Sequence, residues 1–175
     1  MRAWVSRFRS DERGVATVEM GIIGVMLMVA LMNAVDVGRY AFETGEVNAA
    51  AQAGAQAAYV ACDPTHTPAT LNCPDLEDAV TAAIEATRLG SAVTLKEPVA
   101  EAYYCVDTGR ELQRVAGASS KPLTCSGVAN AAANATPSLY LQVQVTHAFE
   151  PMFPGLTIAQ TFAPAIVRTA WMRMA

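Results

Sequence analysis

The distribution of hydrophobic and polar positions sets one long apolar run apart from the rest of the chain. This run, residues 14–35, contains a single charged side chain, that of Glu19. As a helix, its last 21 residues would extend about 31 Å, and the apolar core of a bilayer is about 30 Å thick. The pattern therefore predicts a transmembrane helix at residues 15–35.

The helical pattern continues beyond the apolar run, through residues 36–61. This segment is rich in alanine, the best helix former, and the first proline of the chain is Pro64. Small residues at every fourth position form a ridge along the helix, at Ala41, Gly45, Ala49, Ala53, Ala57 and Ala61. Small ridges let helices approach closely. The ridge is therefore either a packing face for helices of other subunits or the face that packs on the chain's own β-domain.

Residues 62–175 show a mixed pattern of helix and strand. A second helix is predicted from Pro74 to Leu89, with acidic residues in its first turn. Strands are predicted at residues 92–97, 100–106, 139–149 and 165–172. In the third of these, apolar and polar residues alternate most clearly, which indicates an antiparallel sheet with one face solvated and the other packed on a helix.

Charge places the two ends of the chain on opposite sides of the membrane. The net charge of the 175 residues is −4, and no basic stripe follows the N-terminal segment, so no nucleic-acid partner is predicted. Four arginines precede the apolar run, at positions 2, 7, 9 and 13. By the positive-inside rule, residues 1–14 are cytoplasmic and the C-terminal bulk is exported.

All four cysteines lie in the part that is predicted to be exported. An even number of cysteines in a small exported domain indicates two disulfide bonds. Three pairings are possible, and we favour Cys62–Cys73 with Cys105–Cys125 because both bonds close local loops. A zinc site built from Cys62, His66 and Cys73 would lack a C-x-x-C pair and a fourth ligand, so no metal site is predicted.

Glu19 requires a physical reason, because a charge in the apolar core costs about 2.5–3.5 kcal/mol. A cut after Gly14 would create an α-amino group at Val15 and place Glu19 at position five of the mature chain. The carboxylate of a neighbouring subunit could then neutralise that amine. Alternatively, Glu19 lies near the cytoplasmic interface and reaches the lipid headgroups. A cleaved secretory signal is disfavoured, because charged residues separate the apolar run from the small residues near Ala49.

Residues 9–45 resemble the TadE-like proteins, which are pilin-like components of the tight-adherence (Flp) pilus system. The family pattern has a basic leader, G-x-x-x-[VI]-E-[FM], an apolar run and an acidic residue followed by Gly-Arg. Here these are Gly14, Val18, Glu19 and Met20, and then residues 36–39. The resemblance implies cleavage after Gly14 by the system's prepilin peptidase. It also implies that Gly14, Val15, Glu19 and Met20 are the processing and assembly residues.

The predicted fold is therefore α+β and pilin-like, with a long N-terminal helix packed on a small disulfide-bonded domain. That domain contains an antiparallel sheet and one further helix. Residues 1–14 are predicted as the cytoplasmic leader and 15–35 as the transmembrane helix. Residues 36–61 are predicted as its periplasmic extension and 62–175 as the exported domain.

The predicted function is structural, as a subunit that assembles or primes a Tad pilus from the bacterial inner membrane or enters the extracellular filament. Its expected partners are other pilin-like subunits, the assembly machinery, the prepilin peptidase and the lipid bilayer. No G-x-S-x-G, H-E-x-x-H or P-loop motif occurs, so no enzyme activity, cofactor or small-molecule substrate is predicted. The alternative is an uncleaved single-pass periplasmic adaptor or scaffold of the cell envelope.

Overall fold

One uninterrupted helix begins the structure. The computed structural model describes residues 12–62, 64–162 and 164–174. Helix α1 spans Glu12–Ala61, and the absence of proline together with the many alanines explains why it is not broken. The long N-terminal helix predicted from the sequence is therefore confirmed. Most of the predicted leader, residues 1–14, lies outside the described residues.

The first part of α1 is both apolar and exposed. All side chains from Ala16 to Leu31 are exposed. From Ala16 to Ala61 the helix is long and apolar enough to cross a membrane, and its most apolar 18-residue window has a mean hydropathy of 2.0 with no residue buried. An apolar surface of this extent on one helix indicates single-pass membrane anchoring.

Two further helices follow α1. Helix α2 is a single turn, Ala69–Asn72, and helix α3 spans Leu76–Glu85. The prediction that this helix continues to Leu89 is wrong. The backbone N–H of Thr87 and its hydroxyl both donate to the carbonyl of Ile84, at 3.1 and 2.6 Å. This tighter turn replaces the regular α-helical hydrogen bonds and ends the helix.

Within the described residues, five antiparallel strands form one sheet. They are β1 (Val93–Leu95), β2 (Ala100–Val106), β3 (Leu112–Gly117), β4 (Ser138–Ala148) and β5 (Ala165–Arg173). Strands β1 and β2 pair with successive parts of one edge of β4, β5 pairs with its other edge, and β3 pairs with β2. The α+β fold is confirmed. The prediction of four strands missed β3, whose residues show no regular alternation of burial.

The core follows from the period-two pattern of β4. Its inward side chains are fully buried and its outward side chains are half-buried; the inward set is Leu139, Leu141, Val143 and Val145. Helix α1 contributes small side chains to the core, at Val47, Ala50, Ala51, Ala55 and Ala58. Gly54 permits the closest approach, since a Cβ there would lie 3.1 Å from Ile84 and 3.2 Å from Val143.

Two disulfide bonds connect these elements, and together they use all four cysteines. Cys62 directly follows α1 and is bonded to Cys73, which directly follows α2. Cys105 in β2 is bonded to Cys125. This is the pairing that the sequence analysis favours, and both bonds close short loops.

The structure comprises two compact units. The first combines α1 up to Ala41 with Glu150–Ala163, and the second comprises Phe42–Phe149 and Pro164–Ala175. The segment between β4 and β5 therefore belongs to the unit that contains the apolar part of α1. The domain boundaries predicted after residues 14, 35 and 61 stay predictions.

Candidate functional site

The predicted processing residues lie at the beginning of α1. Gly14 and Val15 are part of its helical backbone. The side chains of Glu19 and Met20 are exposed, and they lie among other exposed apolar side chains of the same helix. An exposed carboxylate on an apolar surface can be reached by a cationic group of another chain. The processing and assembly roles of these residues stay predictions.

Asp36 is the best-defined polar site of the first unit. Its side chain is fully buried, although it stands one residue beyond the predicted membrane segment. Its Oδ1 accepts a hydrogen bond of 2.9 Å from the backbone N–H of Met152. Its Oδ2 accepts bonds from the N–H of Phe153 at 3.2 Å and from the hydroxyl of Thr157 at 2.9 Å. Both carboxylate oxygens are thus satisfied by the segment 150–163, as a buried charge requires.

The charged form of Asp36 is the form that this arrangement stabilises. Burial raises the pKa of Asp36, but the hydrogen bonds from Met152, Thr157 and Phe153 lower it, as does the positive charge of Arg39. The lowering contributions together prevail, so the pKa of Asp36 lies below its ordinary value. Because all three hydrogen-bond donors belong to the segment 150–163, the charge of Asp36 and the packing of that segment depend on each other.

Two neighbouring side chains extend this contact along the helix. The Oδ1 of Asn33 accepts a hydrogen bond of 2.8 Å from the backbone N–H of Ile158. The ring of Tyr40 lies 4.7 Å from that of Phe162, measured between centroids. Asn33, Asp36 and Tyr40 are spaced three and four residues apart and therefore share one helix face. We call these three residues the helix clamp, since together they hold the segment 150–163 at three points.

The sequence alone does not predict the helix clamp. In the sequence, Asp36 is the charged residue that ends the apolar run and precedes Gly-Arg, and Asn33 lies within that run. A signal was present, because Asn33, Asp36 and Tyr40 stand at helical spacing where the apolar run ends. Their partners could not be inferred, since Met152 lies 116 positions from Asp36 in the sequence.

The ridge of small residues lies largely outside the chain's own core. Ala41, Gly45, Ala49 and Ala61 are exposed, while Ala53 and Ala57 are half-buried. The side chains of α1 that are fully buried in the second unit lie on a different face of the helix. The chain's own β-domain therefore does not use most of the ridge, and the role of the ridge in contacts between subunits stays a prediction.

His147, on the inward face of β4, makes the contacts of a structural histidine. Its Nδ1 lies 2.9 Å from the carbonyl oxygen of Ala92, and its Nε2 lies 3.3 Å from a carboxylate oxygen of Glu43 on α1. These contacts connect β4 to the helix within the second unit. In the part of the chain that the structure describes, no group of three or more His, Cys, Asp or Glu side chains could hold a metal ion.

Comparison with known proteins finds a similarity in the N-terminal part of the chain. Residues 14–56 match the model of a family described as TadE-like protein. The match includes the predicted processing residues, all of the helix clamp and most of the ridge, and it ends before Cys62. It confirms the resemblance found in the sequence, and a match to this family suggests a protein associated with the Tad pilus. No curated protein and no solved structure matches the chain.

Proposed function

Since residues 14–56 are TadE-like, we propose that the protein is a pilin-like, membrane-inserted subunit that takes part in assembling or priming a Tad pilus. Helix α1 crosses the bacterial inner membrane at residues 15–35, with the N-terminus in the cytoplasm and the C-terminal domain in the periplasm. The observation that carries the proposal is the exposed apolar part of α1, which is continuous with the periplasmic helix and contains one charged side chain, Glu19.

Glu19 has a specific task in this proposal. Prepilin peptidase cuts after Gly14 and leaves an α-amino group on Val15, whose ordinary pKa is near 7.7–8.0. In the membrane, the exposed carboxylate of Glu19 pairs with the amine of a neighbouring subunit, because opposite charges attract more strongly there than in water. The charge that is costly in an isolated helix thereby favours association with another pilin-like subunit.

The exposed part of the ridge supports association beyond the membrane. Ala41, Gly45 and Ala49 have small side chains that are not covered by the chain's own domain. A second helix could approach this surface closely without displacing large side chains. The proposed partners are other pilin-like subunits and the pilus assembly machinery.

The two disulfide bonds agree with the proposed orientation. Structural disulfides persist in oxidising compartments such as the bacterial periplasm and are rare in the cytosol. Both bonds lie in the part of the chain that follows α1. An orientation with this part in the cytoplasm would expose both bonds to reducing conditions.

The proposal is tested by isolating the full chain from membranes that contain the pilus system's prepilin peptidase. We expect an intact mass that corresponds to a mature N-terminus at Val15. We also expect Glu19→Gln to abolish co-purification with the other pilin-like subunits. Glu46→Gln is the matched control, since it removes the same charge from the periplasmic part of the same helix, and it should leave co-purification intact.

Two results would contradict this proposal. A purified protein that retains Met1 would rule out processing after Gly14. Equal co-purification of the Glu19→Gln and Glu46→Gln proteins would rule out the charge-pairing role of Glu19. Both results together would favour an uncleaved, single-pass adaptor of the periplasm.

A further inference from the structure

The segment 150–163 exposes apolar side chains that its own contacts do not cover. Met152 is 56% exposed, and Leu156 and Ile158 are each 59% exposed. No charged residue occurs between Pro151 and Ala163. A set of exposed apolar side chains with no charged residue among them indicates a site that binds an apolar surface.

The hydrogen bonds of the helix clamp give this segment a position along α1. The backbone N–H of Ile158 is bonded to Asn33, which lies within the apolar run of residues 15–35. The N–H of Met152 is bonded to Asp36, the first residue after that run. The segment 150–163 thus lies beside the last turn of the apolar run.

We propose that the segment 150–163 is a membrane-contacting loop whose exposed apolar side chains enter the periplasmic leaflet beside α1. The occupant is lipid, because Ile158 is exposed and its backbone is bonded to Asn33, which lies within the apolar run by which α1 crosses the membrane. Apolar side chains held at this boundary enter the headgroup and upper acyl region by about 5–10 Å. The inference rests on membrane anchoring by α1 and applies equally to a pilus subunit and to an uncleaved adaptor.

The polar groups of the loop are arranged in a way that permits this contact. Irregular backbone near a membrane requires partners for its N–H groups. Asp36 accepts from two of them, those of Met152 and Phe153, and Asn33 accepts from a third. The carboxylate of Asp36 stays charged, but its side chain is fully buried and both of its oxygens accept hydrogen bonds from the loop, so this charge is not exposed to lipid.

The two attachment points on α1 also predict which side chain of the loop lies deeper in the membrane. The attachment of Ile158 at Asn33 lies three residues nearer the cytoplasmic side of α1 than the attachment of Met152 at Asp36. This difference corresponds to about 4.5 Å along the helix. Ile158 therefore enters the membrane more deeply than Met152.

The test uses the full chain in lipid vesicles with a single fluorescent label. Ile158→Cys, Met152→Cys and Leu123→Cys are each labelled with bimane under non-reducing conditions, where the four native cysteines remain in disulfide bonds. Leu123 is the control because it is apolar and 97% exposed but belongs to the second unit. The vesicles contain phosphatidylcholine and phosphatidylglycerol, with a fraction of lipid that carries a nitroxide quencher at carbon 5 of an acyl chain.

We expect the quencher lipid to reduce the emission of the label at position 158 by about half, with a smaller effect at 152 and little effect at 123. Leu156→Cys serves as a second probe of the same loop and should follow position 158. Equal quenching at 158 and 123 would overturn the proposal. The proposal would also be overturned if the label at position 158 were protected from solvent only in vesicles that contain several copies of the protein. A second copy, and not lipid, would then cover the loop. The assay measures neither cleavage nor pilus assembly, so its outcome is independent of the proposed function.

Discussion

The hydroxyl of Thr157 donates a hydrogen bond of 2.9 Å to the buried carboxylate of Asp36, across 121 positions of the sequence. The N–H groups of Met152 and Phe153 also donate to this carboxylate, so all three donors come from one loop, residues 150–163. The loop has little regular structure of its own, apart from a 3₁₀ turn at Ile158–Thr161. The conformation of the loop therefore depends strongly on the hydrogen bonds that Asp36 accepts from it.

Replacing the carboxylate of Asp36 by an amide should release the loop. Asp36→Asn substitutes an NH₂ group for one acceptor, so one of the loop's donors faces another donor. We expect hydrogen exchange at Met152 and Phe153 to become faster by about tenfold or more. The measurement is hydrogen–deuterium exchange of the full chain in lipid nanodiscs.

Asp107→Asn is the matched control for this substitution. Asp107 also accepts a backbone hydrogen bond through a carboxylate oxygen, from the N–H of Glu111 at 2.9 Å, but it lies in the second unit. Its substitution should leave exchange at Met152 and Phe153 unchanged. If both variants accelerate exchange in the loop equally, the effect is not specific to Asp36.

Acid should release the loop in the same way. The pKa of Asp36 is below its ordinary value of 3.8 in the folded protein, so the folded state favours the charged carboxylate. The resulting stabilisation is complete above the ordinary pKa and is lost as the pH falls through the lowered one. The amide resonances of Met152 and Phe153, followed by NMR, should be constant from neutral pH to about pH 5 and change only below about pH 4. A transition at higher pH, or an identical transition in Asp36→Asn, would contradict this assignment.

Two glycines of α1 should respond in opposite ways to the same substitution. A Cβ at Gly45 would meet no atom within 4 Å, so Gly45→Ala should raise the free energy of unfolding by about 0.5–1 kcal/mol. A Cβ at Gly54 would lie 3.1–3.2 Å from Ile84 and Val143. Gly54→Ala should therefore be less stable than Gly45→Ala by about 1–3 kcal/mol. Urea unfolding of the two full-length variants measures the difference, and equal stabilities would show that the core accommodates the extra methyl group.

Both disulfide bonds should contribute to stability through the loops that they close. The cysteines of the two pairs are 11 and 20 positions apart, for Cys62–Cys73 and Cys105–Cys125 respectively. On the chain-entropy model, removing either bond by paired Cys→Ser substitution should lower the free energy of unfolding by about 3 kcal/mol. The measurement is urea unfolding of each paired variant beside the unmodified chain. Identical midpoints for all three proteins would refute the expectation.

Local patterns in the sequence were sufficient where a structure repeats over many residues. The alanine content of residues 36–61 predicted a helix, and the alternation of apolar and polar residues predicted strand β4. In both segments the same pattern repeats over many consecutive residues. Strand β3 lacks such alternation and was missed. Helix α3 ended early because Thr87 bonds the carbonyl of Ile84, a local competition that periodicity does not show.

The helix clamp could not be predicted for a different reason. The sequence shows a polar residue, Asn33, within the apolar run and a charged one, Asp36, directly after it, which marks both as unusual. It does not show what they bind, because their partners at 152–158 lie in a loop without periodic pattern. Polar contacts of this kind are defined by the tertiary structure alone.

Strands β4 and β5 form a hairpin whose last paired residues precede its long tip, the segment 150–163. Ala148 pairs with Ala165, and the N–H of Phe149 donates to the carbonyl of Pro164 at 3.0 Å. The register of the two strands is therefore determined without any residue of the tip. The tip can therefore change in length or sequence while the pairing of the two strands is preserved, so the surface at this position can vary independently of the sheet.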